Sequence, residues 1–226
     1  MGGEQEFICP RFYKDITNSG RSSLRLILES ANLRSKRVLL PDFLCQVIID
    51  VMQEYQVECF FYHINKDFSF DLPFDSESYD ALYLIKFFGG VTDSFTGACS
   101  SYPGCIIVDD VFSPYPHVLE RDEQWFSYNS LRKISKISDF SLLYSNFPLA
   151  AVNKSNLDEF SVLKNQAKWL KYDFINFQTG DEQSYLDLFN EAEELLASNL
   201  SIFSPSAASV VESLQFFGEL AQEANV

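Results

Sequence analysis

Two stretches of this chain hold residue types that could do chemistry together: Cys105-Ile106-Ile107-Val108-Asp109-Asp110 and, downstream, Ser127-Tyr128-Asn129-Ser130-Leu131-Arg132-Lys133. An apolar run that ends in acid is a common way to aim a carboxylate at a ligand at the carboxyl edge of a sheet. Lys133, following Ser130, pairs a candidate covalent anchor with a candidate phosphate contact. Together the segments suggest a pyridoxal 5'-phosphate (PLP) site, in which the lysine bonds the cofactor's aldehyde and an aspartate holds the pyridinium nitrogen. The same residues also suit a plain core strand followed by an exposed basic turn, and taken alone they leave both readings open.

Composition narrows the class. The chain has 226 residues, 46% hydrophobic and 15% aromatic with 22 Phe, enough for one large core. A net charge of -15 argues against nucleic acid, because there is no basic surface to release counterions from a phosphate backbone. No apolar run reaches the ~18 residues of a spanning helix, so no membrane partner is expected. Met1 to Glu6 lacks the basic-then-apolar order of a signal peptide. Cys9, Cys45, Cys59, Cys99 and Cys105 form no C-x-x-C pair and read as reduced thiols of a cytoplasmic protein. With only His63 and His117 present, no metal site is expected.

The elements that must position the two stretches follow from the pattern. Residues 4–18 read as an irregular arm. Ser19-Gly20-Arg21-Ser22-Ser23 is a polar turn opening a helix; its free N–H groups can bind an anion, but taken alone the turn reads better as an ordinary helix cap. Strands are expected over 36–41, 57–62, 81–88, 106–108 and 140–144, with 147–152 pairing as a hairpin to the last. Leu44, Val47, Ile48 and Val51 have helical spacing, and helices are expected again from Leu157, over 181–199 and over 207–220. Alternating strands and helices predict an α/β fold, a three-layer α/β/α sandwich with a mostly parallel sheet.

The series Ser19-Gly20-Arg21-Ser22-Ser23-Leu24, Val38-Leu39-Leu40-Pro41-Asp42-Phe43-Leu44-Cys45, Phe87-Phe88-Gly89, Ile107-Val108-Asp109-Asp110 and Ser130-Leu131-Arg132-Lys133 resembles the fold-type I PLP enzymes. Within them it is most similar to the DegT/StrS-like sugar aminotransferases, over roughly residues 16–220. The resemblance implies an arm over 1–18, a PLP-binding large domain over 19–180, and a truncated small domain over 181–226. It implies that Lys133 carries the cofactor and that Asp110 keeps the pyridine nitrogen protonated. Gly20, Arg21 and Ser22 lie where backbone amides hold the phosphate, with a hydroxyl from Ser130 or Ser127 joining them. Phe88, Cys45 and Ser113 fall at further cofactor contacts. The activity implied is transfer of an amino group from an amino acid to a sugar-nucleotide ketone, in a homodimer whose interface lies beside the pocket; light scattering over a dilution series checks the dimer.

Four features depart from the family pattern. Ser113 stands where an amide or imidazole is usual, and Cys45 where an aromatic usually stacks. Residues 134–140 replace a glycine-rich segment, and the smaller C-terminal domain is not matched. They keep a second reading in view, a catalytically inactive relative acting as a binding or assembly subunit. A nucleotide-binding domain is weaker, since neither G-x-G-x-x-G nor a P-loop occurs.

Overall fold

Cys105-Ile106-Ile107-Val108-Asp109 is buried at every position, as expected of a parallel strand covered on both faces. Ile107 points into one core, with Tyr83, Phe126 and Tyr128. Ile106 and Val108 point into the other, with Leu84 and Trp125. Each of these fully buried aliphatic side chains contributes about 1.5–3 kcal/mol through removal from water.

The structure, a computed structural model, describes residues 12–223. The elements run β1 (Tyr13–Thr17), α1 (Gly20–Ser30), β2 (Arg37–Pro41), α2 (Gln46–Glu54), β3 (Glu58–Tyr62), β4 (Ala81–Ile85), α3 (Asp93–Ser101), β5 (Cys105–Asp109), β6 (Trp125–Tyr128), β7 (Ser141–Ser145), α4 (Asp158–Phe177), α5 (Glu182–Ser198) and α6 (Ala207–Glu223). The strands form one sheet in the order β1-β7-β6-β5-β4-β2-β3. All neighbours are parallel except β7, which runs antiparallel to both β1 and β6. Helices α1 and α2 cover one face through Leu24, Ile27, Leu28, Ile48, Val51 and Met52. Helix α3 covers the other through Phe95 and Ala98, so the architecture is a three-layer α/β/α sandwich.

Four sequence expectations are corrected or bounded here. The arm expected over 4–18 contains β1, which among the described residues is an edge strand paired with β7; residues up to 11 lie outside the described ones. Residues 147–152 form no strand, because the edge of β7 they would need is already taken by β1. β6 was not anticipated, although it seats the Ser127 stretch between β5 and β7. The strand over 81–88 ends at Ile85, and Phe87–Gly89 is instead a 3-10 turn.

The C-terminal helices are tied to the sheet domain by polar as well as apolar contacts. Phe160, Ala192 and Leu196 join α4 to α5. Asp139, 2% exposed, accepts from Ser161 Oγ, from Ser206 N and Oγ, and from Ser209 Oγ, which fixes the start of α6. The strand-like link after α5 reaches back to α1: Asn18 N donates to Phe203 O at 3.0 Å, and Phe203 N donates to Ser22 Oγ at 3.2 Å.

Candidate active site at the carboxyl edge of the sheet

The carboxyl ends of β4, β5 and β6 and the start of α1 meet at one edge. Two backbone bonds set the register there: Lys86 N donates to Asp109 O, and Asp110 N donates to Tyr128 O, both at 2.9 Å. Alternation along a strand sends neighbouring side chains to opposite sides, and the two aspartates accordingly have separate environments.

Asp109 lies under α1. Its Oδ2 accepts from Tyr83 Oη at 2.8 Å and Tyr128 Oη at 3.0 Å, and the two hydroxyls are 2.5 Å apart. The Tyr128 ring supports the start of α1, since a Cβ on Gly20 would meet it at 3.1 Å. Burial pushes the Asp109 carboxyl up from 3.8 to about 6, against the hydroxyls and the Val111 N–H that favour its charged form. The folded state therefore holds this proton more tightly than the unfolded chain. Its contribution to stability falls as pH rises from 3.8 to about 6 and is level above that window. Asp109→Asn cannot titrate, so the stability of the parent relative to this variant is expected to decline across the window in urea melts. A pH-independent difference would contradict the assignment.

Asp110 is 0% exposed. Its Oδ2 accepts from Lys86 Nζ at 2.9 Å, and its Oδ1 accepts from Ser113 Oγ. Lys86 Nζ also donates to Ser113 Oγ at 3.2 Å. Asn129 clips the adjoining loops: its Nδ2 donates to Ser113 O and Pro114 O, and its Oδ1 accepts from Leu142 N. Neither Lys86 nor Asn129 was singled out in the sequence, although Lys86 is the charge that ends the apolar Ala81–Ile85 run.

The other expected site residues divide into two groups. Ser113 is bonded to Asp110, and the Phe88 ring is stacked at 5.8 Å on Phe112, the chain neighbour of Ser113. Phe88 has φ 54, a left-handed conformation uncommon for a bulky residue. Cys45, exposed at the start of α2, is close enough to the Tyr128 hydroxyl to contribute to its raised pKa, which burial dominates. Ser130 is 2% exposed and its hydroxyl has no partner among the described residues.

The remaining four are turned elsewhere or stand alone. The Arg21 side chain turns to Glu193 on α5. Ser22 Oγ is engaged by Asn18 Oδ1 and Phe203 N. Ser127 alternates with Phe126 and Tyr128, which face α1, so its unpartnered hydroxyl lies on the opposite face and cannot share a ligand with Gly20. Lys133 is exposed on a 3-10 turn over Leu131–Lys133, with no side-chain hydrogen bond or ion pair among the described residues.

No family model matches the sequence, and no curated protein does. Solved structures do match. Tyrosine aminotransferase from Leishmania infantum superposes with a TM-score of 0.50 at 11% identity, over 82% of this chain and 51% of that one. The chain has the PLP-dependent transferase fold. A probable N-succinyldiaminopimelate aminotransferase from Thermus thermophilus gives 0.47 at 13% identity, over 85% and 54%. A DegT DnrJ EryC1 StrS aminotransferase from Brucella abortus gives 0.45 at 14% identity, over 59% and 42%. The chain thus spans about half the length of these transferases. Among the described residues no helix is long and apolar enough to cross a membrane, and no cluster of side chains could hold a metal ion.

The donor set in this transferase fold suits PLP in kind. A fully buried carboxylate ends β5, an unpaired amine follows β6, and a buried hydroxyl at Ser130 lacks a partner. One member of the set, Asp110, is already engaged by an ammonium.

Proposed function

We propose that this chain binds PLP at the carboxyl edge of its sheet and acts as an aminotransferase, passing an amino group from an amino acid to a sugar-nucleotide ketone. The observation that carries the reading is Asp110, a carboxylate with no exposed surface at the end of β5 in this fold. The substrate class rests on the resemblance of the five sequence segments to the DegT/StrS-like enzymes.

When bound, the cofactor supplies an electron sink for charge that develops on the donor's α-carbon. The protein's own groups do the rest. Asp110 Oδ2, which now accepts a hydrogen bond from Lys86 Nζ, would accept one from the cofactor's protonated ring nitrogen. Lys133 Nζ would hold the cofactor and would serve as the base that moves the proton at the donor's α-carbon. Backbone N–H groups at the start of α1 would hold the phosphate, on a turn where the absence of a side chain at Gly20 makes room for the Tyr128 ring. Ser130 Oγ is the additional donor.

A second reading, a non-catalytic relative that uses the fold for binding or assembly, is favoured by the Lys86–Asp110 pair, which satisfies the carboxylate without any cofactor. The same pair supplies the test. In Lys86→Met the competing ammonium is gone, and PLP should bind roughly tenfold more tightly than to the parent, about 1.4 kcal/mol. Titration followed by visible absorbance reads both. If neither protein takes up PLP, the second reading stands.

A further inference from the structure

We propose that Arg21, Arg132 and Lys164 form a binding site for a phosphate group, which the chain fills with its own Glu193 carboxylate. The three cations come from α1, from the turn after β6 and from α4, and Glu193 comes from α5. Arg21 Nη2 lies 2.5 Å from Glu193 Oε2, while Arg132 Nη1 and Lys164 Nζ lie 3.0 and 2.5 Å from Oε1. The cationic side chains are 9%, 15% and 5% exposed, and Glu193 is 33% exposed.

Three cations against one carboxylate leave a local positive excess in a chain of net charge -15. The neighbouring Arg25 does not add to it, because Glu54 neutralises it with bonds of 2.7 and 2.8 Å. Burying like charges together is costly unless an anion offsets them. Burial raises the Glu193 carboxyl, but Arg132 and Lys164 overcome that and bring it down to about 2.

A second observation points to a ligand rather than to a finished ion cluster. The Nε–H groups of both Arg21 and Arg132 are buried and have no partner among the described residues. A carboxylate has only two oxygens to offer, and here both are used by Nη and Nζ donors. A phosphate has more oxygens and, as a dianion, offsets more of the three positive charges than one carboxylate does; guanidinium forks suit it through paired N–H groups. Arg21 also borders a cavity of about 410 Å³ that Arg25, Asp50, Glu54 and Leu200 line with it; Arg132, Lys164 and Glu193 do not reach that cavity. Access is through Glu193 itself, whose side chain is 33% exposed: a phosphate that replaces its carboxylate takes the free Nε donors.

The inference is separable from the cofactor reading, since its probe, inorganic phosphate, has neither ring nor aldehyde. Equilibrium dialysis of labelled phosphate against Glu193→Gln and the parent is the experiment. The variant should bind at least roughly tenfold more tightly, because the internal competitor and its charge are removed. Loss of the shared counterion could unfold that variant, so Lys164→Met/Glu193→Gln, which removes one charge of each sign and keeps both arginines, is measured beside it and should also exceed the parent. Equal or weaker binding in the folded variants overturns the site. Competition then names the source of the phosphate: displacement by PLP assigns the cofactor's phosphate, and displacement only by a nucleoside diphosphate assigns a substrate's.

Discussion

Asp110→Asn is expected to abolish PLP uptake and to destabilise the fold by about 3 kcal/mol. The two effects have separate causes. An amide carries no charge, so it cannot keep a proton on a pyridine nitrogen. It also leaves Lys86 Nζ, in a side chain only 13% exposed, without its counterion. Asp109→Asn is the control for register. Its carbonyl can still accept from the Tyr83 and Tyr128 hydroxyls, so it should retain PLP uptake. Urea denaturation and PLP titration of both variants check the pair. If Asp109→Asn lost the cofactor and Asp110→Asn kept it, the cofactor would lie under α1 on the tyrosine side.

The parallel core of the fold was legible because its strands are continuous apolar runs flanked by helical spacing, as in Val38–Leu40 before Gln46–Glu54 and in Ile106–Val108. β1 was not, because an edge strand such as Tyr13-Lys14-Asp15-Ile16-Thr17 carries charges that a central strand would exclude. β6 is only four residues long and follows the charged Glu120-Arg121-Asp122-Glu123, which reads as loop. At the site, the acid at the end of β5 could be seen in sequence. The groups that satisfy it could not: Lys86, Tyr83 and Tyr128 reach the aspartates only because parallel pairing brings β4 and β6 to either side of β5. The engagement of Arg21 by Glu193 joins residues far apart in sequence and has no local signature.

Lys133→Met should eliminate covalent PLP attachment while leaving stability within about 0.5 kcal/mol of the parent. The small stability effect follows from structure: Lys133 is exposed and its side chain has no hydrogen bond or ion pair among the described residues. The large chemical effect follows from position. The turn that begins at Ser130 directly follows β6, which pairs with the strand ending in Asp110. Lys136, also exposed, is the nearest rival on the same segment, and Lys86 is committed to Asp110. Lys136→Met should therefore leave attachment unchanged. Loss of attachment accompanied by a large fall in stability would show instead that Lys133 supports the turn.

The most direct measurement is borohydride reduction of the PLP-loaded parent protein, followed by peptide mapping. The account predicts a single pyridoxyl adduct, on Lys133. An adduct on Lys136 or Lys86, or none on any lysine, would contradict it.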